Sequence, residues 1–102
     1  DNALEFNKLG GVGAIGVTAN IAAKLSSEFQ KACVEDLAKA TELNKILQPL
    51  HSAMFIESNP SPVKYAASLL KMCNSNVRLP LVEVEETSKQ KISNALKVAK
   101  LL

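Results

Sequence analysis

The sequence is poor in the features that mark several classes of protein. Aromatic residues make up only 4% of its 102 residues, so it offers no stacking platform for single-stranded nucleic acid. Its formal net charge of +2 is too small to attract nucleic acid through the phosphates. No apolar run approaches the roughly 18–20 residues that a membrane-spanning helix needs, and no signal peptide is visible. These absences argue against nucleic-acid partners and against a membrane protein.

Cysteine and histidine are also scarce. Cys33 and Cys73 occupy apolar positions of helical patterns, so we expect two buried free thiols, which is typical of the reducing cytoplasm, with a disulfide between them as the weaker alternative. His51 is the sole histidine, and the acidic residues are too dispersed to complete a metal-ligand set with it. We therefore interpret His51 as a packed or surface histidine and predict no metal site.

The most informative stretch is residues 9–20, which combines glycines, a short β-branched run and a helix-capping asparagine. Residues 14–18 are typical of a strand buried on both faces, as in a parallel sheet. Asn20 can cap a helix that begins at Ile21. Since a buried strand needs a neighbour on each side, and the remaining sequence supplies none convincingly, the pattern indicates part of a larger fold.

Apolar periodicity predicts helices for most of the remaining chain. In chain order they are residues 1–8, a helix from Ile21, a helix capped by Asp36 with Leu37 on its apolar stripe, a helix from about Pro60 or Pro62 to Asn74, and a helix from about Glu85 or Thr87 to Ala99. Pro49 is expected to kink or divide the helix that Asp36 caps. Residues 77–84 are predicted to be extended, because Pro80 excludes a helix there.

Residues 11–16 match the dinucleotide fingerprint G-x-G-x-x-G. That motif binds pyrophosphate when its glycines follow a strand and open a helix. Here the glycines follow a predicted helix, and the motif itself contains the predicted strand. Glu35 and Asp36, the acidic residues that could contact the ribose, lie at a helix junction. We interpret the motif as a turn from helix to strand, with dinucleotide binding as the weaker alternative.

The motif Asn-Pro-Ser-Pro-Val-Lys at 59–64 has a structural and a chemical interpretation. Its prolines stiffen the start of a helix, and Asn59 can cap that helix or bond neighbouring backbone. Lys64 could suggest a Schiff-base nucleophile. We reject this role because a lysine in the first turn of a helix is solvated, and nothing nearby would desolvate it.

Several segments, in the same order, resemble the dihydrodipicolinate synthase family of class I pyruvate-dependent aldolases. They are Gly-Val-Gly-Ala-Ile-Gly-Val-Thr-Ala-Asn at 11–20, Pro-Leu-His at 49–51 with Phe-Ile-Glu at 55–57, Asn-Pro-Ser-Pro-Val-Lys at 59–64 and Arg-Leu-Pro-Leu-Val at 78–82. The closing Ala-Leu at 95–96 and Leu-Leu at 101–102 also fit the family. The resemblance covers essentially all 102 residues and corresponds to the last third of such an enzyme.

The resemblance implies a mainly α-helical chain in two parts. Residues 1–35 would form the end of a TIM (β/α)8 barrel, with a helix, the last strand and the last helix, and residues 36–102 a C-terminal helical domain. The implied protein is a cytoplasmic homo-oligomer, a tetramer, that acts in lysine and diaminopimelate biosynthesis.

The implied activity is that of a lyase. A lysine forms an imine with pyruvate, and the derived enamine attacks aspartate semialdehyde. No cofactor or metal is implied, because the imine acts as the electron sink. By the same resemblance, Ile15 offers its backbone carbonyl beside the imine lysine, and Asn59 helps shape the site for the aldehyde. The family's catalytic residues correspond to positions before Asp1, so we expect the isolated chain to be inactive.

Two alternatives stay open. Relatives that share this barrel act on sialic acid or sugar-acid substrates, so the parent could be another pyruvate-dependent aldolase. Independently of any chemistry, the apolar stripes could bury one another as a non-catalytic helical module. In that case the orphaned strand would be disordered, refolded as helix or paired with a second copy.

Overall fold

The computed structural model describes residues 1–102, and it consists of helices and loops without a β-strand. The helices are α1 (Ala3–Lys8), α2 (Ala23–Glu35), α3 (Leu37–Met54), α4 (Ser61–Leu69) and α5 (Glu86–Val98), and a 3₁₀ turn at Val17–Asn20 precedes α2. Each helix expected from an apolar stripe is present. The mainly α-helical class is therefore confirmed for this chain.

The helices bury a single apolar core around α3, which packs against every other helix and against the 3₁₀ turn. The predicted stripes supply most of its side chains. The largest that are fully enclosed include Leu47, Leu50, Met54, Ile92 and Leu96. Leu37, which was expected to continue the stripe of α3, is instead 50% exposed, because it stands at the first position of that helix, beyond the reach of the core.

The ends of the helices follow the local sequence. Asp36 caps α3 as predicted, with its carboxylate accepting a hydrogen bond from the Lys39 backbone N–H at 3.1 Å. Gly10 has a φ of +99° and ends α1, where the N–H of Gly11 donates to the carbonyl of Phe6 at 3.0 Å. This is the Schellman arrangement, for which glycine is the favoured residue.

α4 ends earlier than its sequence pattern predicts, at Leu69 and not near Asn74. Lys71 adopts a φ of +60°, and the Met72 N–H donates to the Ala67 carbonyl at 2.9 Å. The same Schellman closure therefore stops the helix although no glycine is present to signal it.

Residues 14–18, predicted as the last barrel strand, do not form one. Residues 11–16 have no regular secondary structure, and Val17 and Thr18 belong to the 3₁₀ turn. The strand prediction is therefore wrong for this chain. The physical reason is that a strand is defined by its pairing, and residues 12–16 make no backbone–backbone hydrogen bond here.

Three smaller predictions also need correction. α2 begins at Ala23 and has no side-chain cap; the Asn20 amide donates instead to the Val17 carbonyl at 3.0 Å and closes the 3₁₀ turn. Of the two outcomes expected at Pro49, division is wrong, because α3 continues through this residue as one helix; the kink stays a prediction, and Pro49 is exposed. Both cysteines are free. Cys73 is exposed because α4 ends before it, and Cys33 is only half-buried.

Candidate functional site

Ile15, one of the two residues expected at a substrate site, lies in the non-helical segment immediately before Gly16 and the 3₁₀ turn. Its side chain is fully exposed, at 108% of the reference area, and Val12 in the same segment is exposed at 101%. Gly16 is extended, with φ of −147° and ψ of 145°. The Ile15 peptide is thus presented on an open, strand-like segment that the helical core does not cover.

Thr18 anchors the other end of this segment to the core. Its side chain is only 2% exposed, and its Oγ1 lies 2.7 Å from Nδ1 of His51 on α3. The Thr18 carbonyl also accepts the backbone N–H groups of Ile21 and Ala22, at 3.1 and 2.9 Å. Thr18 therefore joins the 3₁₀ turn both to the start of α2 and to the middle of the core.

The environment of His51 favours its neutral form. Burial lowers the pKa of His51 below its ordinary value, with a smaller contribution from the positive N-terminal amino group. Neutral imidazole can accept a hydrogen bond from the Thr18 hydroxyl through Nδ1, or donate to it in the other tautomer. Either arrangement satisfies both of these polar atoms within the core.

Asn59, the second expected site residue, lies exposed in the loop between α3 and α4, immediately before Pro60 at the start of α4. Side chains on both sides of it hold this loop to the segment that precedes α5. The buried Ser61 hydroxyl donates to the Val82 carbonyl at 2.8 Å. The Glu57 carboxylate accepts the Glu85 backbone N–H at 2.9 Å.

The elements that follow Ile15 and Asn59 along the chain are neighbours. α4, which begins two residues after Asn59, packs against the 3₁₀ turn that begins two residues after Ile15. A cavity of about 240 Å³ adjoins the turn, and its lining includes Gly16, Thr18, Ala19 and His51. The fold thus brings an exposed strand-like peptide, a proline-stiffened loop and a partly buried hydrogen bond to one region.

Other candidates from the sequence do not assemble into a site. Lys64 donates from Nζ to the carbonyl of Asn76, so it pins a loop and is not desolvated in a pocket. The glycines of residues 11–16 follow α1 and lead into a non-helical segment, so the strand-to-helix geometry of a dinucleotide site is absent. No three His, Cys, Asp or Glu side chains come together in a way that could hold a metal ion.

The Thr18–His51 pair is the feature of this region that the sequence pattern did not reveal. The two residues are 33 positions apart, and neither belongs to a motif that would pair them. A threonine at the end of a β-branched run and a histidine on an apolar stripe are both unremarkable locally.

In addition, no helix of the structure is long and apolar enough to cross a membrane.

Comparisons with known proteins agree on one family. The sequence profile described as "Dihydrodipicolinate synthetase family" matches residues 1–99. The chain is similar to the 4-hydroxy-tetrahydrodipicolinate synthases of Pelagibacter ubique (strain HTCC1062), at 61% identity over 106 residues, and of Parvibaculum lavamentivorans, at 50% over 101 residues. These alignments cover 100% and 98% of this chain and 36% and 35% of the relatives.

Solved structures lead to the same family. The chloride-inhibited dihydrodipicolinate synthase from Acinetobacter baumannii, complexed with pyruvate, superposes on 99% of this chain with a TM-score of 0.92 and 39% sequence identity. The match covers 35% of that enzyme's chain. The chain therefore belongs to the dihydrodipicolinate synthetase family. It spans about a third of the length of the curated relatives it matches.

Proposed function

We propose that this chain is the C-terminal third of a 4-hydroxy-tetrahydrodipicolinate synthase. The enzyme would condense pyruvate with aspartate semialdehyde through a lysine imine, in the biosynthesis of lysine and diaminopimelate. The observation that carries the proposal is the family match over residues 1–99, together with 61% identity to a relative of that name over the whole of this chain.

The exposure of the segment before the 3₁₀ turn supports the proposal independently. Val12 and Ile15 are fully exposed although both are apolar, and their backbone groups pair with no other backbone group. An unpaired apolar segment is an unfavourable surface unless further polypeptide covers it. The remaining two thirds of a (β/α)8 barrel would supply that cover, with a neighbouring strand on either side of residues 14–18.

In the proposed chemistry, this chain and the rest of the enzyme supply different groups. A lysine amine would add to the pyruvate ketone and expel water to give the imine. Loss of a methyl proton would then give the enamine, whose carbon attacks the aldehyde of aspartate semialdehyde. Cyclisation would follow, when the amino group of the adduct displaces the lysine. The proposed imine lysine and proton-transfer groups lie outside residues 1–102.

In this scheme, the chain contributes positioning groups. With the rest of the barrel beside it, the Ile15 carbonyl would lie at the end of the last barrel strand, where the chemistry of such barrels occurs, and would accept a hydrogen bond beside the imine. Asn59 would border the position of the aldehyde, on a loop that Ser61 and Glu57 hold in place.

The proposal extends to organisation. Residues 1–35 would complete the barrel and residues 36–102 would form a helical domain beside it. The whole enzyme would be a cytoplasmic homotetramer. Two free cysteines are compatible with a reducing compartment.

Borohydride trapping with pyruvate tests the assignment. Borohydride reduces a lysine imine to a stable secondary amine, which peptide mass spectrometry then locates. The full-length protein should carry one pyruvyl adduct on a lysine outside residues 1–102, and the isolated chain should carry none. An adduct on Lys64 or on any other lysine of the isolated chain would contradict the proposed division of labour. Absence of an adduct from the full-length protein would contradict the activity itself.

A further inference from the structure

Thr18 makes the one hydrogen bond that connects the 3₁₀ turn to α3, from its Oγ1 to Nδ1 of His51 at 2.7 Å. His51 lies in the last turn of α3 and is half-buried. The turn also follows Ile15 closely, since only Gly16 separates Ile15 from its first residue. A shift of Thr18 would therefore be transmitted to the Ile15 peptide through two covalently linked residues.

Within residues 1–102, the side chains of the segment before the 3₁₀ turn do little to hold it in place, since Val12 and Ile15 are fully exposed. The cavity of about 240 Å³ borders Gly16 and Ala19 as well as both partners of the hydrogen bond. Gly16 has no neighbouring atom within 4 Å of where a Cβ would lie, so side-chain contacts do not fix its position. The directional bond between Thr18 and the half-buried His51 restrains the turn that follows this segment.

We propose that His51 is a positioning residue that acts through the Thr18 hydroxyl to fix the Ile15 carbonyl beside the imine. The inference rests on the proposed function, because the imine belongs to the full enzyme. His51, the sole histidine of the chain, would thus influence the reaction without touching the substrate. A reacting group that is displaced by about 1 Å can lose up to about 100-fold in rate, so a loose Ile15 peptide would slow the step that follows imine formation.

The test uses the full-length protein with substitutions that separate the hydrogen bond from the shape of the side chain. Thr18→Val removes the hydroxyl at constant size, and Thr18→Ser retains it. His51→Leu removes the ring nitrogen, and His51→Asn places an amide close to the position of Nδ1. Thr41→Val is the matched control, because the Thr41 hydroxyl bonds only to the Leu37 carbonyl of its own helix.

The decisive quantity is kcat divided by the number of sites that borohydride traps with pyruvate. This ratio counts only folded, imine-competent sites, so a merely structural role would leave it unchanged. We expect Thr18→Val and His51→Leu to lower it about 10-fold, and the double variant to lower it no further, because both remove one interaction. Thr18→Ser and His51→Asn should stay within about 3-fold of the wild type, and Thr41→Val within about 2-fold.

Ratios within about 2-fold of the wild type for Thr18→Val and His51→Leu would overturn the positioning role. An equal loss in Thr18→Val and Thr18→Ser would also overturn it, since the hydroxyl would not be the cause. If Thr18→Val fails to fold, the comparison of His51→Leu with His51→Asn decides by the same criterion. If the wild-type protein traps pyruvate and catalyses condensation, and the variants do so equally well, the positioning role alone is refuted. A wild type that traps no pyruvate refutes the proposed function as well.

Discussion

The ring of Phe6 occupies the space that a side chain at Gly11 would need. A Cβ at position 11 would clash with Cδ1 of Phe6 and would lie 2.8 Å from its carbonyl oxygen. The same carbonyl accepts the Gly11 N–H at 3.0 Å. This close approach ends α1 and directs the chain into the segment that carries Ile15.

Gly11→Ala should therefore destabilise the chain by about 1–2 kcal/mol, because the Phe6 ring and backbone must both move. Gly13→Ala is the matched control, since no atom lies within 4 Å of the added methyl group. It should change the free energy of unfolding by less than about 0.5 kcal/mol. Chemical denaturation of the two variants provides the measurement, and equal stability would mean that the Phe6 contact does not restrict residue 11.

The cap of α3 is worth testing because the sequence alone predicted it. Asp36→Ala removes the acceptor of the Lys39 N–H and should cost about 1 kcal/mol, whereas Asp36→Asn should retain most of the stability. Glu35→Ala is the control on the preceding residue, whose pairing with Lys31 is long and exposed. A loss with Glu35→Ala as large as that with Asp36→Ala, in urea denaturation, would argue against a specific cap.

Ser61 holds the loop of Asn59 through its bond to the Val82 carbonyl. Ser61→Ala leaves that carbonyl without its donor and should destabilise the chain by about 1–2 kcal/mol. Ser68→Ala is the control, since the Ser68 hydroxyl bonds only to the Tyr65 carbonyl within α4, and it should cost clearly less. Thermal unfolding compares the two variants, and an identical shift in Tm would show that the bond across the loop adds nothing.

His51 should make the stability of the chain depend on pH. Its pKa is lowered in the folded state, so the unfolded state binds the proton more readily. The contribution of neutral His51 to stability is therefore fully present above the unfolded pKa of about 6.5, and it is lost as the pH falls through the folded pKa. Free energies of unfolding should be lower near pH 5.5 than near pH 7.5.

His51→Asn provides the control for this pH dependence, because it keeps a polar group near Thr18 without a titratable ring. The difference in stability between the two pH values should be smaller in this variant than in the wild type. A difference of the same size would assign the effect to other groups, such as the carboxylates.

The sequence predicted the parts of the fold that depend on local information. The stripe Leu47, Leu50 and Met54 is buried as its spacing predicts, and Asp36 caps the helix it precedes. These features arise from residues within one or two helical turns of each other. The end of α1 at Gly10 is also local, because glycine adopts a positive φ without a steric cost.

Features that depend on distant partners were not predictable in the same way. Residues 14–18 have the composition of a buried strand, but no strand forms where no neighbour is available. α4 ends at Leu69 because Lys71 adopts a positive φ, and nothing about a lysine at this position predicts that conformation. The Thr18–His51 bond joins two residues that only the packing of α3 against the 3₁₀ turn brings together. For the candidate site, the resemblance named Ile15 and Asn59, and their roles remain predictions.

The most direct test of the account is a chimera in which this chain replaces the matching C-terminal third of the Pelagibacter ubique relative. The measurement is the rate of condensation of pyruvate with aspartate semialdehyde. We predict a chimera with kcat within about 10-fold of that relative, and a chimera carrying Ile15→Asp that loses this activity, because a charged side chain would enter the barrel. A folded, tetrameric chimera without condensation activity would contradict the claim that residues 12–18 complete the barrel of such an enzyme.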